Sequence, residues 1–305
     1  MDRVIITIDE EFAGDRIDKV IAENLENISR TAVQRLIDGG FVVVSGKNIK
    51  ASYKTVYGDT VTITLPPAEE PDIRPENIPL DVLYEDDDVI VVNKPKDMVV
   101  HPAAGHYTGT LVNALMYHCK GSLSGINGVL RPGIVHRIDK DTTGALVVCK
   151  NDAAHAFISE QLKEHSITRR YVAITKGALK DEEGRIEAPI GRDPKDRLKM
   201  AVVPNGKEAI TNYRVLDHLD GKHDYIECRL ETGRTHQIRV HMAYIAHPLL
   251  GDETYGGTEK AFRLQGQCLH ARDLGFIHPT TKQYMEFSAP LPDYFEKLLK
   301  TLKNK

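Results

Sequence analysis

The chain has 305 residues, of which 41% are hydrophobic and 28% charged, the balance of a soluble globular protein long enough for two cores. No apolar run approaches the ~20 residues that span a bilayer, and the alternating, acidic start Met1–Glu10 is not a signal peptide; no membrane partner and a cytoplasmic location are expected. The net charge of −4 is segregated, with nine acids against Arg74 alone in residues 66–88, but 31 basic against 25 acidic residues in 89–305, a body that suits a phosphate-backbone partner.

In chain order, Ile17, Val20, Ile21 and Leu25 recur at helical spacing. A second helix follows: Ser29 is a good N-cap, Ile28 and Val33 occupy the positions of a hydrophobic staple, and Gly39 can end it. Three short strands are predicted next: Phe41–Val44, a middle strand after the turn at Ser45-Gly46-Lys47, and Thr60–Leu65 after the turn at Gly58-Asp59. Residues 12–65 thus read as a small ααβββ unit. The proline-rich, acidic stretch 66–79 reads as an extended, semi-rigid linker.

Residues 80–300 form the second predicted domain. Val89–Val92 reads as a buried strand closed by Asn93-Lys94-Pro95, with helices over Thr110–His118 and Ala153–Leu162, the latter opening at Asn151-Asp152. Strands are expected over Tyr171–Thr175, Ile210–Leu216 and Tyr225–Leu230, and a helix over His236–Ile245. Strands and helices do not alternate strictly, which favours a mixed α+β sheet over a doubly wound parallel one.

Several kinds of chemistry find no motif. Cys119, Cys149, Cys228 and Cys268 form no CxxC pair and read as small buried hydrophobes. The serines of Gly121–Gly125 are misplaced for a nucleophile elbow, Gly40 and Gly46 are one residue too far apart for a P-loop, and no HExxH occurs. No metal and no cofactor are expected.

What remains is an Asp/Arg/Tyr constellation. Arg137 precedes Asp139 by two residues in His136-Arg137-Ile138-Asp139-Lys140-Asp141-Thr142-Thr143-Gly144-Ala145, a polar turn between the apolar runs Ile134-Val135 and Leu146–Val148. Thr168-Arg169-Arg170-Tyr171 brings an aromatic into a strand behind two bases, and Thr232-Gly233-Arg234-Thr235-His236-Gln237-Ile238-Arg239-Val240-His241 sits at a strand–helix junction. Singly, these are compatible with an ordinary charged loop, a core tyrosine and a surface ion pair.

Together with Asn93-Lys94-Pro95, His247–Asp252 and Leu269-His270-Ala271, they resemble the Rlu-type RNA pseudouridine synthases, most nearly the large-subunit ribosomal pseudouridine synthase D subgroup, over residues 12–292. The loop has Ile138 and Thr143 where that family often shows Leu and Ser. Arg16–Lys19, Ser29–Ile37 and Gly58–Val61 resemble the small RNA-binding module named after a small-subunit ribosomal protein (the S-four type), which offers basic side chains to structured RNA.

The resemblance implies a largely antiparallel central sheet with flanking helices and an isomerase that converts uridine to pseudouridine, with RNA as partner, ribosomal RNA foremost and transfer RNA second, and no DNA. It implies Asp139 as the catalytic carboxylate, Arg234 as the guanidinium that keeps it ionised, and Tyr171 against the uracil. Arg137 would fill the gap left by a flipped base, while His136, His236, Gln237 and Arg239 position substrate. In the small unit Arg16, Lys19, Arg30, Arg35 and Lys47 would meet RNA, although acids and bases balance at seven each in residues 11–65. Two other readings stand beside the isomerase: a non-catalytic RNA-binding ribosome-assembly factor, and a hydrolytic glycosylase, which would release free uracil.

Overall fold

The computed structural model describes residues 2–25, 28–66, 73–102, 106–128, 131–196, 198–257, 262 and 264–304. Contacts divide the chain into two compact units, Met1–Glu70 and Pro71–Lys305.

In the first unit, α1 (Ile17–Asn24) and α2 (Arg30–Asp38) pack on an antiparallel sheet of β1 (Asp2–Thr7), β2 (Val42–Val44), β3 (Lys47–Asn48) and β4 (Thr60–Leu65), in the order β1-β4-β2-β3. Ile17, Val20, Ile21, Val33 and Ile37 from the helices close over Val42, Val44, Val61 and Ile63. Ser29 caps α2 by accepting from the Ala32 amide, and Ile28 packs on the core that holds Val33, as a staple requires. Two features differ from the sequence expectation. The sheet gains β1, because Val4 and Ile6 alternate toward the core while the strand pairs along its length with β4. The middle strand is confined to Lys47–Asn48, beyond which the Tyr53 amide closes a turn onto the Lys50 carbonyl.

The second unit is built on one large sheet. Its path runs β5 (Val82–Glu85), β6 (Val89–Lys94), β7 (Thr143–Cys149), β14 (Leu269–Ile277), β8 (Thr168–Lys176), β13 (His223–Leu230), β12 (Ile210–His218), β9 (Glu183–Glu187), with β15 (Tyr284–Ser288) also paired to β14. β7 and β14 pair in parallel, and the other neighbours are antiparallel. A separate ribbon joins β10 (Ile190–Arg192) and β11 (Met200–Val202). One face of the sheet carries α4 (Asp152–Lys163) and α6 (Asp293–Lys303), whose Ala154, Ile158, Phe295 and Leu298 pack on strand residues such as Val89, Val147, Val172 and Ile174. The opposite face carries α3 (Leu111–Cys119) and α5 (Gln237–Tyr244), with Leu111, Leu115, Ile238 and Met242 against Ile90, Leu146 and Ala173.

The α+β class and the mostly antiparallel sheet agree with the sequence reading. Residues 67–72 of the expected linker lie outside the described residues. Residues 73–79 are part of the second unit rather than linker: Ile73 is buried in its core, and Asn113 donates to the Arg74 carbonyl while accepting from the Glu76 amide through its own carbonyl. The four cysteines are buried free thiols, as expected. Among the described residues no helix is long and apolar enough to cross a membrane.

One row of paired residues crosses the middle of this sheet: Lys94, Gly144, Ala271, Tyr171 and Cys228. Residues in register share a face, here the one covered by α3 and α5. The candidate site is assembled along this row.

Candidate active site

Gly144 explains how β7 and β14 come together. Its φ is +114°, and a Cβ there would collide with the backbone carbonyl of Ala271. The pairing is pinned by His270, whose Nε2 faces the Ala289 carbonyl at 3.1 Å; the proton therefore sits on Nε2, and Nδ1 accepts the Thr143 hydroxyl at 2.8 Å.

The segment 135–142 leads into β7 as an irregular loop. Ile134 makes only a single bridge to Val148, so the apolar run before the loop forms no strand. The loop is held from three sides. Lys94, fully buried, donates from Nζ to the carbonyls of Pro95 (2.8 Å), Met98 (2.9 Å) and Lys140 (3.0 Å). Burial pushes its pKa down to about 7, opposed by the charges of Asp141 and Asp139. Gln267 donates to Thr142 Oγ1, and the Thr142 amide closes a turn onto the Asp139 carbonyl.

Asp139 is thereby presented at the wall of a cavity of about 590 Å³. Arg137, Lys163, Arg169, Arg234 and Arg239 line the same space with Asp139 as the one acid among the described residues, and Ile138, Tyr171, Leu230 and Leu269 supply apolar wall. Such a chamber suits a flat, partly apolar group attached to a polyanion. Arg137, exposed, lines both this cavity and a second one of about 340 Å³ across the loop.

The guanidinium on Asp139 is that of Arg239, not Arg234. Arg239 Nη1 donates to Asp139 Oδ2 at 3.0 Å, while its Nε and Nη2 grip Asp252 at 2.7 and 2.9 Å. Burial works to lower the Arg239 pKa, but the hydrogen bonds and charges of Asp252 and Asp139 prevail and hold it raised. Arg234 precedes α5 and turns to the Glu208 carbonyl at 2.8 Å, so it stands on the cavity wall without touching Asp139. The expectation for Arg234 as the carboxylate's partner is corrected accordingly, and Arg239, expected to position substrate, takes that place.

His236 has a left-handed backbone (φ 57°) at the start of α5, with Nδ1 2.8 Å from Tyr255 Oη and Nε2 3.8 Å from Asp139 Oδ1. Burial lowers its pKa, with the Asp139 charge opposing. Gln237 was expected to read substrate, but its amide is consumed inside the protein: Oε1 accepts from Thr232 Oγ1 and the Arg234 amide, and Nε2 donates to the Ile210 carbonyl and Thr211 Oγ1. It fixes the turn 232–237 instead. His136 lines the cavity while its Nε2 accepts from the Val147 amide at 3.1 Å; burial, with help from the Arg169 charge, pushes its pKa down to about 3, so the ring is neutral.

Tyr171 projects from β8 on the cavity face, 8% exposed. Burial pushes its phenol up to about 12, with Arg169 opposing and Asp139 adding to the rise. Strand alternation turns Arg170 to the other face, where it pairs with Asp273 and Glu286. Three residues carried no assigned role in the sequence reading: Asp252, Tyr255 and Lys94. Asp252 and Lys94 lie inside quoted motifs, which was the available signal; nothing near Tyr255 marked it.

In the small unit, Asp18 is fully buried and accepts from Arg16, Arg30 and Gln34. The Arg16 hydrogen bond above all holds its carboxyl well below the usual range, against burial. Arg16 and Arg30 are therefore organised by an internal acid although their side chains are nearly half exposed. Lys19 pairs with Asp15 and Glu23, whereas Arg35 and Lys47 are exposed.

Residues 88–244, which include the loop, Tyr171 and the start of α5, match the family model described as RNA pseudouridylate synthase. The chain belongs to the RNA pseudouridylate synthase family. As a member of that family it is an isomerase acting on RNA, in agreement with the motif resemblance. It is 53% identical over 303 residues, 99% of each chain, to an uncharacterized RNA pseudouridine synthase of Bacillus subtilis (strain 168). It is 47% identical over 308 residues, 97% of this chain and 96% of the relative, to the ribosomal large subunit pseudouridine synthase D of Zymomonas mobilis subsp. mobilis. Among solved structures, human RNA Pseudouridylate Synthase Domain Containing 1 superposes with a TM-score of 0.58 at 26% identity, covering 75% of this chain and 97% of that one.

Proposed function

We propose that this pseudouridine synthase isomerises a uridine of large-subunit ribosomal RNA, with Asp139 as its essential carboxylate and the target base extruded into the cavity. The reaction breaks the bond from uracil N1 to the ribose anomeric carbon, turns the base, and joins C5 to that carbon; C5 gives up its proton and N1 gains one. Atoms balance without a donor or redox partner.

The observation that carries the reading is Asp139 held by Arg239 at the mouth of a chamber walled by Tyr171. A carboxylate that must act ionised is served by a fixed, charged neighbour. Arg239, tied on its other side to Asp252, cannot follow the substrate and so keeps the carboxylate aimed into the space. Tyr171, Leu230, Leu269 and Ile138 offer the base flat and apolar contact, and a stack on an aromatic is worth about 1–3 kcal/mol. Extrusion costs roughly a few kcal/mol, offset by such contacts. Arg137 stands on the exposed ridge between the two cavities, where its planar cation can take the place of the departed base.

The ribosomal target is supported by the names of the full-length relatives and by the small unit, whose Arg16, Lys19, Arg30, Arg35 and Lys47 we assign to RNA contact. Pseudouridine mapping of total RNA from cells with and without this chain tests the reading. A large-subunit site that vanishes and returns on complementation is expected. A change confined to transfer RNA would overturn the ribosomal assignment, and no change in any RNA would overturn the function.

A further inference from the structure

Arg169 is a cation with unused donors on the wall of the cavity. It is 7% exposed, and among the described residues no carboxylate lies within 4.0 Å of it. Its Nη2 reaches the Glu231 carbonyl at a long 3.4 Å, and its Nε is buried with no hydrogen-bond partner. The side chain shares the cavity face of β8 with Tyr171, two residues on, and lies against Gly233; a Cβ on Gly233 would come within 2.7 Å of Nη1. Lys163, His165 and Arg234 line the same cavity.

A guanidinium has five N–H donors, and a buried charge left unpaired is strongly unfavourable. Burial lowers the Arg169 pKa, with Tyr171 opposing. Hydrophobic packing would be served better by a neutral side chain, and no internal acid compensates the charge. A visiting anion would.

We propose that Arg169, with Arg234 and Lys163 at the rim, forms a receptor for one phosphodiester of the RNA beside the nucleotide whose base enters the cavity. The proposal rests on the RNA reading above and adds a named subsite to it. Nη1 and Nη2 form the planar end-on fork that matches two non-bridging phosphate oxygens, Nη2 being engaged only by the long contact to the Glu231 carbonyl. Gly233 keeps that fork open, since any side chain there would press on Nη1. A uracil carbonyl could accept one hydrogen bond but would leave the charge uncompensated; a phosphodiester satisfies both.

The test uses the full chain, labelled with 15N-arginine, as wild type, Arg169→Met and Gly233→Ala. Each is titrated with inorganic phosphate and with uridine-centred trinucleotides in which one linkage at a time is a neutral methylphosphonate. In the wild type, phosphate should shift the Arg169 Nε–H resonance saturably, and one neutral linkage should weaken binding about tenfold, as losing a charge-assisted bond does. Arg169→Met should bind less tightly and be indifferent to that linkage, and Gly233→Ala should show a weakened phosphate response. Linkage effects that are equal in wild type and Arg169→Met would overturn the proposal, as would a response to uridine but not to phosphate. Arg169→Met should also melt at or above the wild-type temperature; a marked fall would mean a structural pairing and overturn it too. Wild type that binds phosphate through Arg169 but forms no pseudouridine would sink the function proposed above and leave this subsite standing. Normal product with no Arg169-dependent phosphate effect would do the reverse.

Discussion

Arg239 Nη1 lies 3.0 Å from Asp139 Oδ2 while the same guanidinium holds the fully buried Asp252 through Nε and Nη2. One cation thus serves a structural acid and a cavity-facing acid 113 positions apart in the chain. Arg239→Met should lower stability by about 3–5 kcal/mol, because Asp252 is left charged and unpaired. It should also reduce turnover of RNA by at least about a hundredfold, ~2.7 kcal/mol of barrier. Arg234→Met removes one bond to an exposed carbonyl and should change stability by no more than ~0.5 kcal/mol. Urea denaturation and initial rates on the two variants check the contrast; equal effects would mean that both arginines serve Asp139.

For Tyr171 the ring and the hydroxyl make separable contributions. Its phenol, pushed up to about 12, is protonated at neutral pH. Tyr171→Ala should cost RNA affinity about 1–3 kcal/mol through lost stacking. Tyr171→Phe should keep that affinity, so that any defect in kcat measures the hydroxyl alone. Filter binding and single-turnover rates distinguish them.

His136 predicts a pH effect on stability. Its folded pKa of about 3 lies below the ordinary 6.5, so between those values the unfolded chain binds more protons than the folded one. Stability from this group is then complete above pH 6.5 and lost as pH falls toward 3. At pH 5 the loss is on the order of 2 kcal/mol. His136→Gln should sacrifice a constant amount at all pH values but flatten the slope between pH 6.5 and 4. Parallel slopes would show that the ring does not titrate in this way.

Arg35 and Lys47, exposed on the small unit, should each contribute to the salt dependence of RNA binding. Each phosphate contact removed is expected to reduce the slope of log K against log salt by roughly 0.7–0.9. Alanine at either position should therefore weaken binding at low salt most. An unchanged slope would take that residue off the RNA.

Local signals in the sequence translated well into structure. Ser29 caps α2, Asn151 caps α4 by accepting from the Ala154 amide, and the apolar runs at Val89–Val92 and Tyr171–Thr175 became β6 and β8. The position of Asp139, Arg137 and Tyr171 around one cavity was legible because two separate motifs carried them. The partner of Asp139 was not. Whether Arg234 or Arg239 turns inward depends on the left-handed backbone of His236 and on α5 starting at Gln237, and neither is written in residue type. Gln237 looked available for substrate because the groups that consume its amide, Ile210 and Thr211, lie 27 and 26 residues away. β14 escaped notice for a similar reason: its central Arg272 and Asp273 are satisfied by pairing with Glu227 and Ser288, contacts that exist only once the sheet is formed.

The central claim is that Asp139 performs the isomerisation. RNA transcribed with uridine tritiated at C5 reports it directly, because joining C5 to the sugar expels that hydrogen. Wild type should release one tritium for each pseudouridine formed, and Asp139→Asn, with folding and RNA affinity intact, should release none above background. Tritium release by Asp139→Asn at a rate near that of wild type would contradict the account.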